Sequence, residues 1–224
     1  MSGPAELVAR LARLDSCAVS DARDQLGLAD AVVIGLSNLS GNSRIAGRVI
    51  TVQLGPALPT TSPRHLCTAA TEAAEPGDVI VVALSGRVDC AGWGGNLSRA
   101  AQVRGAAGTI VDGAVRDVDE ASDIGYPVFA TGATPKTARG RTQEHGWGVV
   151  VDIAGVSVTH GDYVIADRSG VVFVATADID RVLAVAEMVA AKEVLMAEAI
   201  AAGTPVGEVM GASYERMLHP EASA

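Results

Sequence analysis

The chain has 224 residues, enough for one large domain or two small ones with a substantial core. Its net charge of −9 argues against nucleic acid as a partner, because a phosphate backbone needs a basic stripe. Hydrophobic residues make up 49% and aromatics only 3%, so Ala, Val, Ile and Leu must fill the interior, a composition suited to layered α/β packing.

In chain order, an amphipathic helix is expected over Ala5–Arg13. A short helix capped by Ser20 or Asp21 follows, and Gly27 stops it. GRVITVQL (47–54) alternates and is rich in β-formers, so it reads as a strand. Residues 62–75 read as a helix, PGD (76–78) as a turn, and VIVVAL (79–84) as a buried strand. A glycine cluster (Gly92, Gly94, Gly95) then leads into a helix over Leu97–Val103 that Gly105 ends. GTIVDG (108–113) reads as a strand, VDEASDIG (118–125) as a short helix and YPVFA (126–130) as a strand. This βαβαβ run favours a parallel sheet. Residues 148–176 hold short β runs separated by Gly-Asp and Ser-Gly turns. A long helix over about 178–202, closed by Gly203, ends the pattern. No linker or internal repeat divides the chain, so a single domain over 1–224 is expected.

Cys17, Cys67 and Cys90 are odd in number and far apart, which fits buried free thiols in a reducing compartment. The N-terminus carries charges where a signal peptide has its apolar core, and no run approaches the ~20 residues of a membrane helix. We therefore expect a soluble, cytoplasmic protein with no membrane partner.

Two stretches carry chemistry. The glycine loop lies between a strand and a helix, where outward-pointing amides and the helix dipole can bind a carboxylate or phosphate, or where it is simply a tight turn. It matches neither a P-loop nor a dinucleotide fingerprint, since position 97 is Leu. Arg116-Asp117 follows the strand GTIVDG. Asp117 with Glu120 fits an N-terminal capping box. The same pair also lies at the C-terminal sheet edge, where ligands of parallel sheets bind. Loop amides, an Arg for a carboxylate and an Asp for a hard cation would suit a 2-oxo acid chelated to Mg²⁺ or Mn²⁺.

The other candidates are weaker. His65, His145, His160 and His219 show no zinc spacing. Ser85 and Ser98 lack a nucleophile elbow. Lys136 lies in a polar loop and Lys192 on a helix, which disfavours a Schiff-base aldolase. Asp162 and Asp167 read as turn residues.

GDVIVV (77–82), GGNLSRAAQVRGAAGTIVDGAVRD (94–117), GYPVFATGATP (125–135) and GDYVIADRSGVVFV (161–174), in that order, resemble the RraA-like family. That family includes the class II, divalent-metal-dependent aldolases of 4-hydroxy-4-methyl-2-oxoglutarate and 4-carboxy-4-hydroxy-2-oxoadipate. The resemblance implies an α/β/β/α layered sandwich with a mixed sheet, assembled as a homotrimer or hexamer with its C-terminal helix at a subunit interface. It also implies an active site between subunits. There the backbone of Gly94, Gly95, Asn96 and Leu97 binds the pyruvoyl carboxylate and Arg116 contacts substrate. Asp117 is the direct ligand of Mg²⁺ or Mn²⁺, and Glu193 approaches the neighbouring subunit's metal through water, with Glu187 and Glu198 as substitutes. The products of such chemistry are pyruvate from aldol cleavage, or pyruvate and CO₂ from oxaloacetate.

One position departs from the resemblance. The aldolases carry an acid twenty-one residues before the Arg, and that position here is Gly95. Three readings follow. The first is a metal-dependent carbon–carbon lyase in which another acid, for which Asp89 is one candidate, replaces the missing one. The second is a diverged enzyme using the Arg-Asp-metal platform on a different substrate. The third is a non-catalytic regulator that binds ribonuclease E. Retention of Arg-Asp argues against the third. A menaquinone methyltransferase lacks support, because no glycine-rich methyl-donor loop is present.

Overall fold

The computed structural model describes residues 3–42, 44–59 and 64–211, which leaves His219 outside the described residues. The elements run α1 (Pro4–Leu11), α2 (Ser16–Gln25), β1 (Val32–Val33), β2 (Ser37–Ser40), β3 (Ile45–Pro56), α3 (Thr68–Ala73) and β4 (Val79–Ala91). They continue α4 (Gly95–Val103), β5 (Gly108–Val115), α5 (Val118–Asp123), β6 (Val128–Ala133), β7 (Thr142–Trp147), β8 (Val151–Ile153) and β9 (Val156–Val158). β10 (Tyr163–Ala166), β11 (Val171–Val174), α6 (Ile179–Ala201) and α7 (Val206–Val209) complete the series.

Strands β3, β4, β5 and β6 are parallel and adjacent, the product of the βαβαβ run. Antiparallel strands extend them into a mixed sheet ordered β1-β11-β10-β3-β4-β5-β6-β2, with β7 also on β3. β3 joins the parts: Ile45–Arg48 pairs with β10, residues 49–53 with β4, and residues 52–56 with β7. β8 and β9 form a separate hairpin.

β4 shows why the central strands read as continuous apolar runs. Ile80, Val82 and Leu84 enter a core shared with α3, α4 and α5. Val79, Val81 and Ala83 enter a second core covered by β8 and β9. Both faces are dry, so alternation disappears from the sequence. A third core holds α1, α2 and α6 against β10 and β11. The architecture is thus the expected layered α/β sandwich with a mixed sheet and a long C-terminal helix.

Several local expectations shift. The second helix starts at Ser16 and not near Ser20, because Asp15 is extended and its carboxylate accepts the Ala18 N–H at 2.8 Å. Gly27, at φ 62°, does end it. Of the helix expected over 62–75, residues 62 and 63 lie outside the described residues, and among the rest helix covers Thr68–Ala73. Cys67 is left-handed at φ 64°, and its N–H is held by Glu144 Oε2 at 2.7 Å, so helix cannot extend through it. β4 runs on to Ala91 past an irregularity at Ser85 and Gly86, both at positive φ. β1, β2 and β7 were not foreseen. They are short or polar and are recruited by neighbours already in the sheet.

Candidate active site

The loops that leave β4 and β5 meet at the C-terminal edge of the parallel strands. Gly92 N–H donates to Ala114 O at 2.9 Å and Arg116 N–H to Trp93 O at 3.0 Å, which binds the glycine loop to the end of β5. Trp93 is buried at 2% exposure and donates its ring N–H to Ser98 Oγ at 2.9 Å. Ser98 in turn bonds Gly94 O, so this serine braces the loop.

Asp117 begins α5 but does not cap it. Its backbone is left-handed (φ 57°, ψ 40°), and its side chain makes no capping bond, so the capping-box expectation fails. A capping residue must be extended for its oxygen to reach the following amides. The carboxylate points instead to the preceding loop: Oδ2 accepts the Gly95 N–H at 3.1 Å, and Arg116 Nε donates to both oxygens at 3.1 and 3.2 Å. Gly94 permits this approach, since a Cβ there would lie 2.9 Å from Asp117 Oδ2. Asp is one of the few residues that tolerate the left-handed region, at a cost of roughly 1 kcal/mol.

Gly94, Gly95, Asn96, Leu97, Arg116 and Asp117 together line one cavity of about 230 Å³. The first amides of α4 have no acceptor within the helix. Asp117 takes that of Gly95, and among the described residues those of Asn96 and Leu97 have no acceptor. Among the described residues, Arg116 is engaged only through Nε, which leaves its terminal Nη nitrogens available.

Three further lining residues, His65, Thr137 and Arg139, were missed as a set. They come from two distant loops and form no motif, so no sequence spacing signalled them. The other two described histidines do not line the cavity: His145 bonds Pro56 O, and His160 stacks edge-on against Trp147. Asp162 and Asp167 act in turns as expected. Asp162 accepts the N–H groups of Thr159 and Thr176, and Asp167 those of Ser16 and Ser169.

Asp89 is not brought to the cavity within one chain: it is exposed and accepts from Nε and Nη2 of Arg87, each at 3.0 Å. The carboxylate at position 95 belongs to Glu120: a Cβ built on Gly95 would collide with Glu120 Oε2 and lie 3.0 Å from its Cδ. Glu193 is not brought to the cavity within one chain. It lies on α6, where burial and the Asp15 and Asp21 carboxylates raise its pKa. Glu187 is paired with Arg10 at 2.8 Å, and Glu198 is exposed.

Among the described residues, no three His, Cys, Asp or Glu side chains gather around one point. Among the described residues that line the cavity, Asp117 is the one carboxylate. It fits a hard cation that keeps most of its water shell and does not fit tetrahedral zinc.

A protein-family model described as RraA-like (Aldolase/RraA) matches residues 16–173. The chain belongs to the RraA-like family. A relative from Halalkalibacterium halodurans, provisionally named 4-hydroxy-4-methyl-2-oxoglutarate aldolase, is 26% identical over 215 residues, covering 96% of this chain and 97% of that protein. Protein DlpA of Legionella pneumophila is 30% identical over 168 residues, 75% of this chain; the match spans only 27% of that longer protein. Among solved structures, Streptomyces coelicolor RraAS2, described as an unusual member of the RNase ES inhibitor RraA protein family, superposes with a TM-score of 0.78 at 28% identity. That match covers 87% of this chain and 97% of the other. The RraA-like family thus holds proteins named as aldolases and proteins named as ribonuclease inhibitors. Among the described residues no helix is long and apolar enough to cross a membrane.

Proposed function

We propose that the chain is a divalent-metal-dependent carbon–carbon lyase that releases pyruvate from a 2-oxo acid, by aldol cleavage, by oxaloacetate decarboxylation or by both. The observation that carries this reading is the convergence of Arg116, Asp117 and the free amides of Asn96 and Leu97 on one cavity. Asp117 would hold Mg²⁺ or Mn²⁺, with water supplying most of the remaining ligands. Such an ion, when bound, polarises a 2-oxo group as a Lewis acid.

The chain's own groups do the rest. The amides of Asn96 and Leu97 bind the carboxylate next to the oxo group, and the dipole of α4 favours that charge. Arg116 presents its Nη nitrogens to the oxygen on which negative charge grows as the bond breaks, and it is preorganised for that charge by its Nε contact with Asp117. Arg139 lines the same cavity and offers a second cation, which suits a substrate with a second carboxylate. Trp93 and Leu97 keep one wall dry.

Activity is read as a homotrimer or hexamer in the cytoplasm. The outer half of α6 supports an interface role, since Met188 and Leu195 are each 65% exposed. In such an assembly Glu193 would be offered to a neighbouring subunit's site.

The deciding assay measures pyruvate from oxaloacetate and from a 4-hydroxy-2-oxo diacid, with and without Mg²⁺ or Mn²⁺. Turnover that needs metal and vanishes in Asp117→Ala is expected; no turnover by wild type on either substrate rejects the lyase. A diverged enzyme with another substrate would then stand next, because the Arg-Asp platform is intact. The likeness to RraAS2 favours a second reading, a regulator of a ribonuclease. Metal-independent capture of ribonuclease E by the wild type and by Asp117→Ala alike would support it.

A further inference from the structure

We propose that Glu120 is the second carboxylate of this site, delivered from α5 into the space that the missing side chain of Gly95 leaves open. The inference rests on the lyase reading for its chemistry, but its test does not depend on turnover.

The geometry is reciprocal. The point where a Cβ on Gly95 would sit is already taken by Glu120 Oε2, and lies 3.0 Å from Glu120 Cδ and 3.2 Å from Asp117 Cβ. The side chains of Asp117 and Glu120 therefore flank one point beside the glycine loop. Glu120 reaches that point from the first turn of α5, and Asp117 from the left-handed residue just before it. Gly95 has no positive φ, so its backbone does not require glycine. What glycine provides is room.

Among the described residues, the cavity lining itself offers no carboxylate besides Asp117. Arg116 is a permanent cation. The Asp117 carboxylate already receives two N–H donors, the Gly95 amide and the Arg116 Nε–H shared between its two oxygens. Among the described residues the Glu120 side chain is paired only with Arg99, at 3.8 Å, and both side chains are about half exposed, Arg99 at 54% and Glu120 at 52%. Such a pair is weak and leaves the carboxylate free to turn. Glu120 acts as a positioning residue: its oxygen accepts a hydrogen bond from a water or a substrate hydroxyl beside Asp117. It also adds negative charge next to the residue that would hold the cation.

The test is a swap in the full-length chain, read first by Mn²⁺ affinity from water-proton relaxation and second by kcat and KM on oxaloacetate. Glu120→Ala and Glu120→Gln should each weaken Mn²⁺ binding about tenfold, the size of effect typical for outer-shell partners. Each should also lower kcat more than it raises KM. Moving the acid back, in Gly95→Asp/Glu120→Ala, should restore Mn²⁺ affinity to within about threefold of wild type, which a merely structural Glu120 would not allow. Unchanged Mn²⁺ affinity in both single variants overturns the proposal. So does a swap variant that melts like wild type yet binds no better than Glu120→Ala, and so does a wild type that binds no Mn²⁺. A wild type that binds Mn²⁺ with the expected Glu120 dependence but turns over neither substrate rejects the lyase and leaves Glu120 in place.

Discussion

Asp117 accepts a hydrogen bond from the amide of Gly95 at 3.1 Å, joining the loop after β4 to the loop after β5. A residue that the local sequence marks as a helix cap thus spends its carboxylate on a neighbouring strand's loop. Its left-handed backbone is the reason, because that conformation turns the side chain away from the amides of α5.

The two functions of Asp117, backbone conformation and charge, can be separated. Asn tolerates the left-handed region better than Ala and keeps an acceptor for the Gly95 amide. Asp117→Asn should therefore be more stable than Asp117→Ala by about 1 kcal/mol in urea unfolding. Both should lose metal-dependent pyruvate release by at least about 100-fold, since neither offers a carboxylate. Full activity in Asp117→Asn would remove the cation from the proposal.

Arg139 should act on binding more than on the chemical step. Arg139→Ala is expected to raise KM for a diacid about tenfold or more while kcat changes no more than about threefold, the pattern of a lost uniform contact. An equal fall in kcat and kcat/KM would instead bring Arg139 to the reacting atoms.

Two buried aspartates should give opposite pH responses. Asp167 is buried, which opposes its charge, but the N–H and hydroxyl of Ser16, the N–H of Ser169 and the Arg44 charge outweigh burial and hold its pKa low. Its stabilisation is present above the unfolded-state pKa and is lost as pH falls through the lower folded value. Asp112 is pushed up by burial, against the backbone N–H groups of Ala154 and Gly86. Its contribution is present in acid, below the unfolded-state pKa, and is lost as pH rises through the folded value. Urea midpoints should show Asp167→Asn costing about 2 kcal/mol at pH 7 and less in acid. Asp112→Asn should lose least, relative to wild type, at pH 7 and most in acid.

The proposed assembly through α6 is tested at a position that does not line the cavity of its own chain. Leu195 is 65% exposed in the single chain. Leu195→Glu should shift sedimentation from trimer or hexamer towards monomer. An unchanged oligomer would move the interface elsewhere.

Much of the fold was legible because the long elements carry strong periodic signals. α6 was foreseen within a residue at each end, since Gly203 at φ 95° stops it as a C-terminal glycine should. The parallel core was legible from apolar runs separated by glycine turns. The start of α2 was not, because Asp15, Ser20 and Asp21 are all competent caps and only the chain path selects one. Nor was the start of the third helix, where Glu144 holds the Cys67 N–H from 77 residues away.

The sequence by itself determined the layered α/β class, the glycine loop and the Arg-Asp pair after β5, because these are local patterns of hydrophobicity and backbone freedom. Only the tertiary structure decided what the pair does with its atoms. Asp117 turns from its own helix to the Gly95 amide, and His65, Thr137 and Arg139 arrive from loops with no shared motif. Glu120 stands where position 95 has no side chain. Each outcome depends on which loops meet at the sheet edge, and that is set by strand order and packing, which no window of sequence contains.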